Sequence, residues 1–87
     1  MSYALIIFEN PSSDKQSKWQ PWQNILNNLE HASKDNVNIQ KIHENAWLFA
    51  LQNVLLIFAQ CLSDSSSKEI NFHVCFLDEK PLFIPPN

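Results

Sequence analysis

The chain has 87 residues, enough for one small domain and no more. It is 45% hydrophobic and 11% aromatic, which excludes disorder over the whole length, and it has no glycine, so its turns must rely on Asn, Asp, Ser and Pro. The net charge is −3 and all six basic residues are lysines, scattered from Lys15 to Lys80; without arginine forks or a basic block, the composition argues against nucleic acid as a partner.

Tyr3 to Phe8 is continuously apolar and reads as a buried strand. The cluster Asn10-Pro11-Ser12-Ser13-Asp14 stops it. Trp19, Trp22, Ile25, Leu26, Leu29 and Ala32 then recur at helical spacing, which predicts a helix from Ser17 or Gln20 to about Ser33 with Pro21 in its first turn. Val37, Ile39 and Ile42 make a half-polar strand, and His43-Glu44-Asn45 is a hairpin connection in which Asn45 would take a positive φ. Ala46 to Leu51 is a second continuous apolar strand, after which Asn53 would cap a helix running to Leu62 or Ser63. Ser63 to Ser67 reads as a loop. Asn71 to Leu77 alternates, with Phe72, Val74 and Phe76 on one face and His73 and Cys75 on the other. A tail from Pro81 to Asn87 holds Leu82, Phe83 and Ile84 between prolines.

Strand, helix, strand, strand, helix, strand is the order of an α+β, ferredoxin-like β-α-β-β-α-β fold. The expectation is an antiparallel four-stranded sheet in the order 4-1-3-2 with both helices on one face, residues 1–80 forming the domain and 81–87 the tail. The two continuously apolar runs fall on the central strands, and the two half-polar ones on the edges. If Ala4, Ile6 and Phe8 face the helices, then Tyr3, Leu5 and Ile7 face the open side, beside His73 and Cys75. An apolar face without helices needs a cover. A second copy would supply one; the segment Leu82-Phe83-Ile84, folded back or added to a partner's sheet edge, would supply another. The expectation is a homodimer with those residues at the interface.

From Ala46 to Leu62 only Gln52, Asn53 and Gln60 are not apolar, but the two adjacent amides argue for strand, turn and helix rather than a membrane span. The first residues lack a basic n-region, so the cytoplasm is the expected location. Cys61 and Cys75 have no metal-like spacing and read as two buried reduced thiols, a disulfide requiring an oxidising compartment.

The first strand followed at once by an acid, then a helix, then a hairpin whose second strand reads Ile42-His43-Glu44-Asn45-Ala46-Trp47-Leu48-Phe49, resembles small prokaryotic ferredoxin-like proteins. These are the relatives of the CRISPR adaptation nuclease subunit, the GhoS-type antitoxin ribonuclease and SinR-like proteins. The resemblance is one of pattern; it spans Tyr3 to Glu79, and Glu44-Asn45-Ala46-Trp47-Leu48 is its most specific piece. In those families an aspartate ending the first strand holds a divalent metal at the dimer axis. The resemblance implies Glu9 for that place, with a different residue type and without the remaining polar set. It also implies a setting in toxin–antitoxin or defence systems.

Antiparallel pairing would bring Glu9, His43, Glu44 and Glu69 to one end of the sheet, where oxygens from two subunits, Glu9 and Glu44 among them, would hold Mg²⁺ and activate water for phosphodiester cleavage. The plainer reading is solvated charge at strand ends. His73 and Cys75 share a face at a Cβ separation of about 7 Å, too far for a direct bond, so interface packing suits them better than nucleophilic catalysis. Trp19, Trp22 and Trp47 fit a core or an interface better than base stacking, which also wants a cationic groove. No cofactor motif is present; the serine run lacks a glycine cradle. The sequence therefore reads as a non-catalytic interaction or regulatory module, a homodimer that binds another protein. The alternative is a metal-dependent endoribonuclease centred on Glu9.

Overall fold

The computed structural model describes residues 2–11 and 16–81. Four strands and two helices follow in the expected order: β1 (Tyr3–Phe8), α1 (Trp19–Lys34), β2 (Ile39–His43), β3 (Ala46–Ala50), α2 (Leu51–Ser67) and β4 (Phe72–Leu77), with a 3-10 turn at Gln16–Lys18 leading into α1. The sheet order is β2-β3-β1-β4 and every pairing is antiparallel. This is the α+β ferredoxin-like arrangement, with the two continuously apolar strands in the middle.

Register decides which side chains meet the helices. β1 pairs with β3 so that Ala4 meets Phe49 and Ile6 meets Trp47. On its other side β1 pairs with β4, setting Ala4 opposite Phe76, Ile6 opposite Val74 and Phe8 opposite Phe72. These residues form the helix-covered face, with Ile6, Trp47 and Phe49 fully buried. Trp22, Ile25 and Leu29 of α1 and Val54, Phe58 and Cys61 of α2 close the core from above. Each large side chain buried there contributes roughly 1.5–3 kcal/mol. Phe49, Phe58 and Phe76 form a chain of edge-to-face rings at 5.5 and 6.1 Å. The indole N–H groups of Trp22 and Trp47 are buried without an acceptor among the described residues, each at a cost of about 1–3 kcal/mol.

Several expectations are corrected. β2 begins at Ile39, and Val37 stands in the preceding turn, 90% exposed. The hairpin turns through Glu44 and Asn45, and Asn45 does not adopt a positive φ. A register shift between Lys41 and His43 bends β2 instead, and a bulge of this kind supplies the twist that a left-handed turn would give. Among the described residues the only positive φ belongs to Glu69, at 58°.

The second helix differs most. It starts at Leu51 directly after β3, its first N–H donating to the carbonyl of Ser2 at 2.9 Å. Asn53 therefore lies inside the first turn and is not the cap; its side-chain amide donates to Asn38. One turn in, Val54 departs from helical geometry, with φ of −136° and ψ of 27°. At the far end the helix runs through the serines expected to be a loop. Ser65 is fully buried and donates to the carbonyl of Cys61 at 2.8 Å, and Ser67 donates to that of Asp64. Serine hydroxyls bonded back to the preceding turn let a polar run stay helical. No helix of the described residues is long and apolar enough to cross a membrane.

Candidate functional site

Two surfaces and one polar cluster are candidates. The polar cluster lies at the end of β1. Glu9 Oε1 is 3.0 Å from His73 Nε2, and the Glu9 backbone N–H donates to the carbonyl of Asn71 at 2.9 Å. The His73 contact holds the Glu9 carboxyl below its ordinary value, with a smaller contribution from the Asn71 side chain. Across a cavity of about 190 Å³ from Glu9 stand Lys18 and Glu69. Lys18 Nζ reaches the Glu69 carbonyl at 3.3 Å and its carboxylate at 3.4 Å, which helps hold the left-handed backbone there. Nothing in the chain around Lys18 points to this place, because its partner lies far along the chain.

The four groups expected to gather at this end are thus divided. Glu9 and Glu69 line one cavity, while His43 and Glu44 sit at the β2–β3 hairpin on the other side of β1. That hairpin is anchored to β1 by the Phe8 N–H donating to the Asn45 carbonyl at 2.8 Å and by the side chains of Asn45 and Asn10. Lys41 on β2 pairs instead with Glu30 of α1 and lies 5.8 Å from the centre of the Trp47 ring. Among the described residues no three His, Cys, Asp or Glu side chains converge as metal ligands would. Within one chain Glu9 lies beside His73 of β4, and Glu44 lies in the hairpin on the β3 side of β1.

The first surface is the open sheet face. The register puts Tyr3, Leu5 and Ile7 on it, beside Leu77, Cys75 and His73 of β4 and Ala50, Leu48 and Ala46 of β3. The burial along it is uneven. Leu48 is only 2% exposed, and Tyr3, Leu5 and Leu77 are half-buried. At the Glu9 end Ile7 is 44% exposed, and its neighbours His73 and Cys75 are exposed too. Cys75 is therefore not the buried thiol that the sequence suggested: the alternation of β4 points it away from the helices. Cys61 is buried as expected. Leu82, Phe83 and Ile84, expected as a cover for this face, lie outside the described residues.

The second surface, not anticipated from sequence, is on the helices. Leu55 and Leu56 of α2 are 62% and 84% exposed, with Ile57 beside them. A groove of about 380 Å³ separates α1 from α2 at this point. The signal was legible: three consecutive apolar residues in a helix span about 200° of its circumference and cannot all face one core. Of the tryptophans, Trp22 and Trp47 belong to the core, and Trp19 packs edge-to-face on Trp22 at 5.1 Å.

No family model matches the chain, and no curated protein or solved structure matches it either.

Proposed function

We propose that this chain is a protein-interaction module that works as a homodimer, closing the Ile7 end of its open sheet face on a second copy while leaving the helices free for another protein. The observation that carries this reading is the exposure of Ile7 on a central strand, flanked by Leu5 and by exposed Cys75 and His73. The open face of an antiparallel sheet is ordinarily polar, and monomers seldom leave contiguous apolar area uncovered. A two-fold axis near Ile7 brings the same patch together from both copies, as an isologous interface requires. A regulatory role in a toxin–antitoxin or defence-type system of a prokaryotic cytoplasm belongs to the same proposal; it is supported by the pattern around Glu44-Asn45-Ala46-Trp47-Leu48 alone. The second reading, a metal-dependent endoribonuclease centred on Glu9, has less support, because His73 engages the Glu9 carboxylate in the single chain.

Sedimentation equilibrium tests the reading. The wild-type chain is expected at the mass of two copies, and Ile7→Glu at the mass of one with an unchanged circular dichroism spectrum. A wild-type chain that sediments as a single copy at every concentration refutes it.

A further inference from the structure

We infer that the groove between α1 and α2 receives an amphipathic helix from a partner protein, with a cationic side chain of that helix at the Asp64 end. This builds on the reading of the chain as an interaction module and names what the helical side of the module binds.

The groove has the shape of a helix seat. Ile25, Leu29 and Ala32 line it from α1, at the spacing of one helical face, and Leu56, Ile57 and Cys61 line it from α2. The lining spans about two turns of each helix, or roughly 10–12 Å. Leu29 and Cys61 are buried at its floor, whereas Leu56 and its neighbour Leu55 stand out on one wall. Leu51, Val54, Phe58, Cys61 and Ser65 take the buried side of α2 at helical spacing, which leaves Leu55 and Leu56 on its outer side. A small apolar molecule in the groove would touch Leu56 but leave Leu55 wet. A third helix lying along α2 covers the groove and the wall together, with anchors at i, i+3 or i+4, and i+7.

Charge narrows the occupant further. The polar residues of the lining are Asn28, Gln60 and Asp64. Asp64 is the one carboxylate among them, and no cation lines the groove among the described residues. Its carboxylate accepts a hydrogen bond from Gln60 Nε2 at 2.9 Å, which holds it at the rim. An anionic partner would bury repulsion here, and a cationic one gains a pair. The chain's own helices do not meet the description. The outward face of α1 presents Gln20, Gln23, Asn24 and Asn27, amides without an apolar stripe, and the exposed stripe of α2 is a single turn long.

The test uses the full chain and two synthetic helical peptides. Both carry leucines at i, i+3, i+4 and i+7; one flanks the stripe with lysines, the other with glutamates. Fluorescence anisotropy is expected to show binding of the lysine peptide and about tenfold weaker binding, or none, of the glutamate peptide. Leu56→Asp, a change at an exposed site, is expected to weaken the lysine peptide about tenfold or more. Asp64→Asn is expected to bring the two peptides closer together. Failure of the lysine peptide to bind, equal binding of both peptides, or indifference to Leu56→Asp would overturn the inference. So would conversion of a dimer to a monomer by Leu56→Asp, which would make a second copy the occupant. The same titration on Ile7→Glu separates the two readings: there the peptide still binds whether or not the sheet face pairs.

Discussion

His73 Nε2 lies 3.0 Å from Glu9 Oε1, although the sheet register sets His73 opposite Ile7 and not opposite Glu9. The pair therefore forms on the diagonal, one step beyond the end of β1, where the strand has stopped but its direction persists. His73→Ala is expected to let the Glu9 carboxyl rise toward its ordinary value of 4.5, read as a shifted midpoint in a carboxyl-resolved NMR titration. The sign for stability follows. A carboxyl lowered in the folded state stabilises above its unfolded value, and that contribution disappears as the pH falls below 4.5 toward the folded value. Both side chains are more than half exposed, so solvent screening keeps the contribution small.

The two thiols are expected to differ sharply. Burial pushes Cys61 up to about 11, with the Asp64 charge adding to the shift and the Ser65 contact opposing it. Its neutral form favours the fold below its ordinary value of 9.0, and that advantage is lost as the pH rises from 9.0 toward about 11. Cys75 is exposed. Alkylation at pH 8 should therefore modify Cys75 in the native chain and Cys61 only after unfolding. If copies pair through the Ile7 end, Cys75 should react more slowly as the concentration rises, and Ile7→Glu should abolish that dependence.

Phe49 touches the centre of the core, fully buried and edge-to-face with Phe58. Phe49→Ala is expected to cost about 3–5 kcal/mol, a large part of the stability of so small a domain. Urea denaturation should show a much lower midpoint or no folded baseline. Leu56→Ala, by contrast, should change stability by no more than about 0.5 kcal/mol, since the side chain is already in water.

Glu69 carries its φ of 58° without being glycine or asparagine. A left-handed residue with a Cβ costs about 1–2 kcal/mol. Glu69→Asn is expected to raise stability by about 0.5–1 kcal/mol, because Lys18 also bonds the Glu69 carbonyl and keeps that contact, while the exposed ion pair it loses is worth about 0–1 kcal/mol. A lower denaturation midpoint for this variant would show that the ion pair outweighs the backbone strain.

The sheet was legible because its information is local. Tyr3 to Phe8 and Ala46 to Phe49 are apolar on both parities, and only a central strand uses such a run. The open face and its apolar residues followed from parity alone. What escaped depended on contacts between distant segments. Nothing near Asn53 reveals that Leu51 binds Ser2 and starts the helix early. Nothing in the serine run reveals that Ser65 is packed away, with its hydroxyl bonded within its own helix. Glycine-free composition suggested asparagine at the left-handed positions, but Lys18 gives Glu69 that place instead. The exposed wall of the groove could be read from Leu55-Leu56-Ile57, which wrap too far around a helix to share one core, but the groove itself depends on how α1 packs beside α2.

The pairing of Tyr3 with Leu77 has a consequence for biosynthesis. β1 is made before either strand that flanks it, so the oily segment Tyr3-Ala4-Leu5-Ile6-Ile7-Phe8 emerges from the ribosome long before β4 exists. Once β3 has been made the nascent chain can shield it on that side alone, leaving the other edge to whatever chaperone or neighbouring polypeptide arrives first.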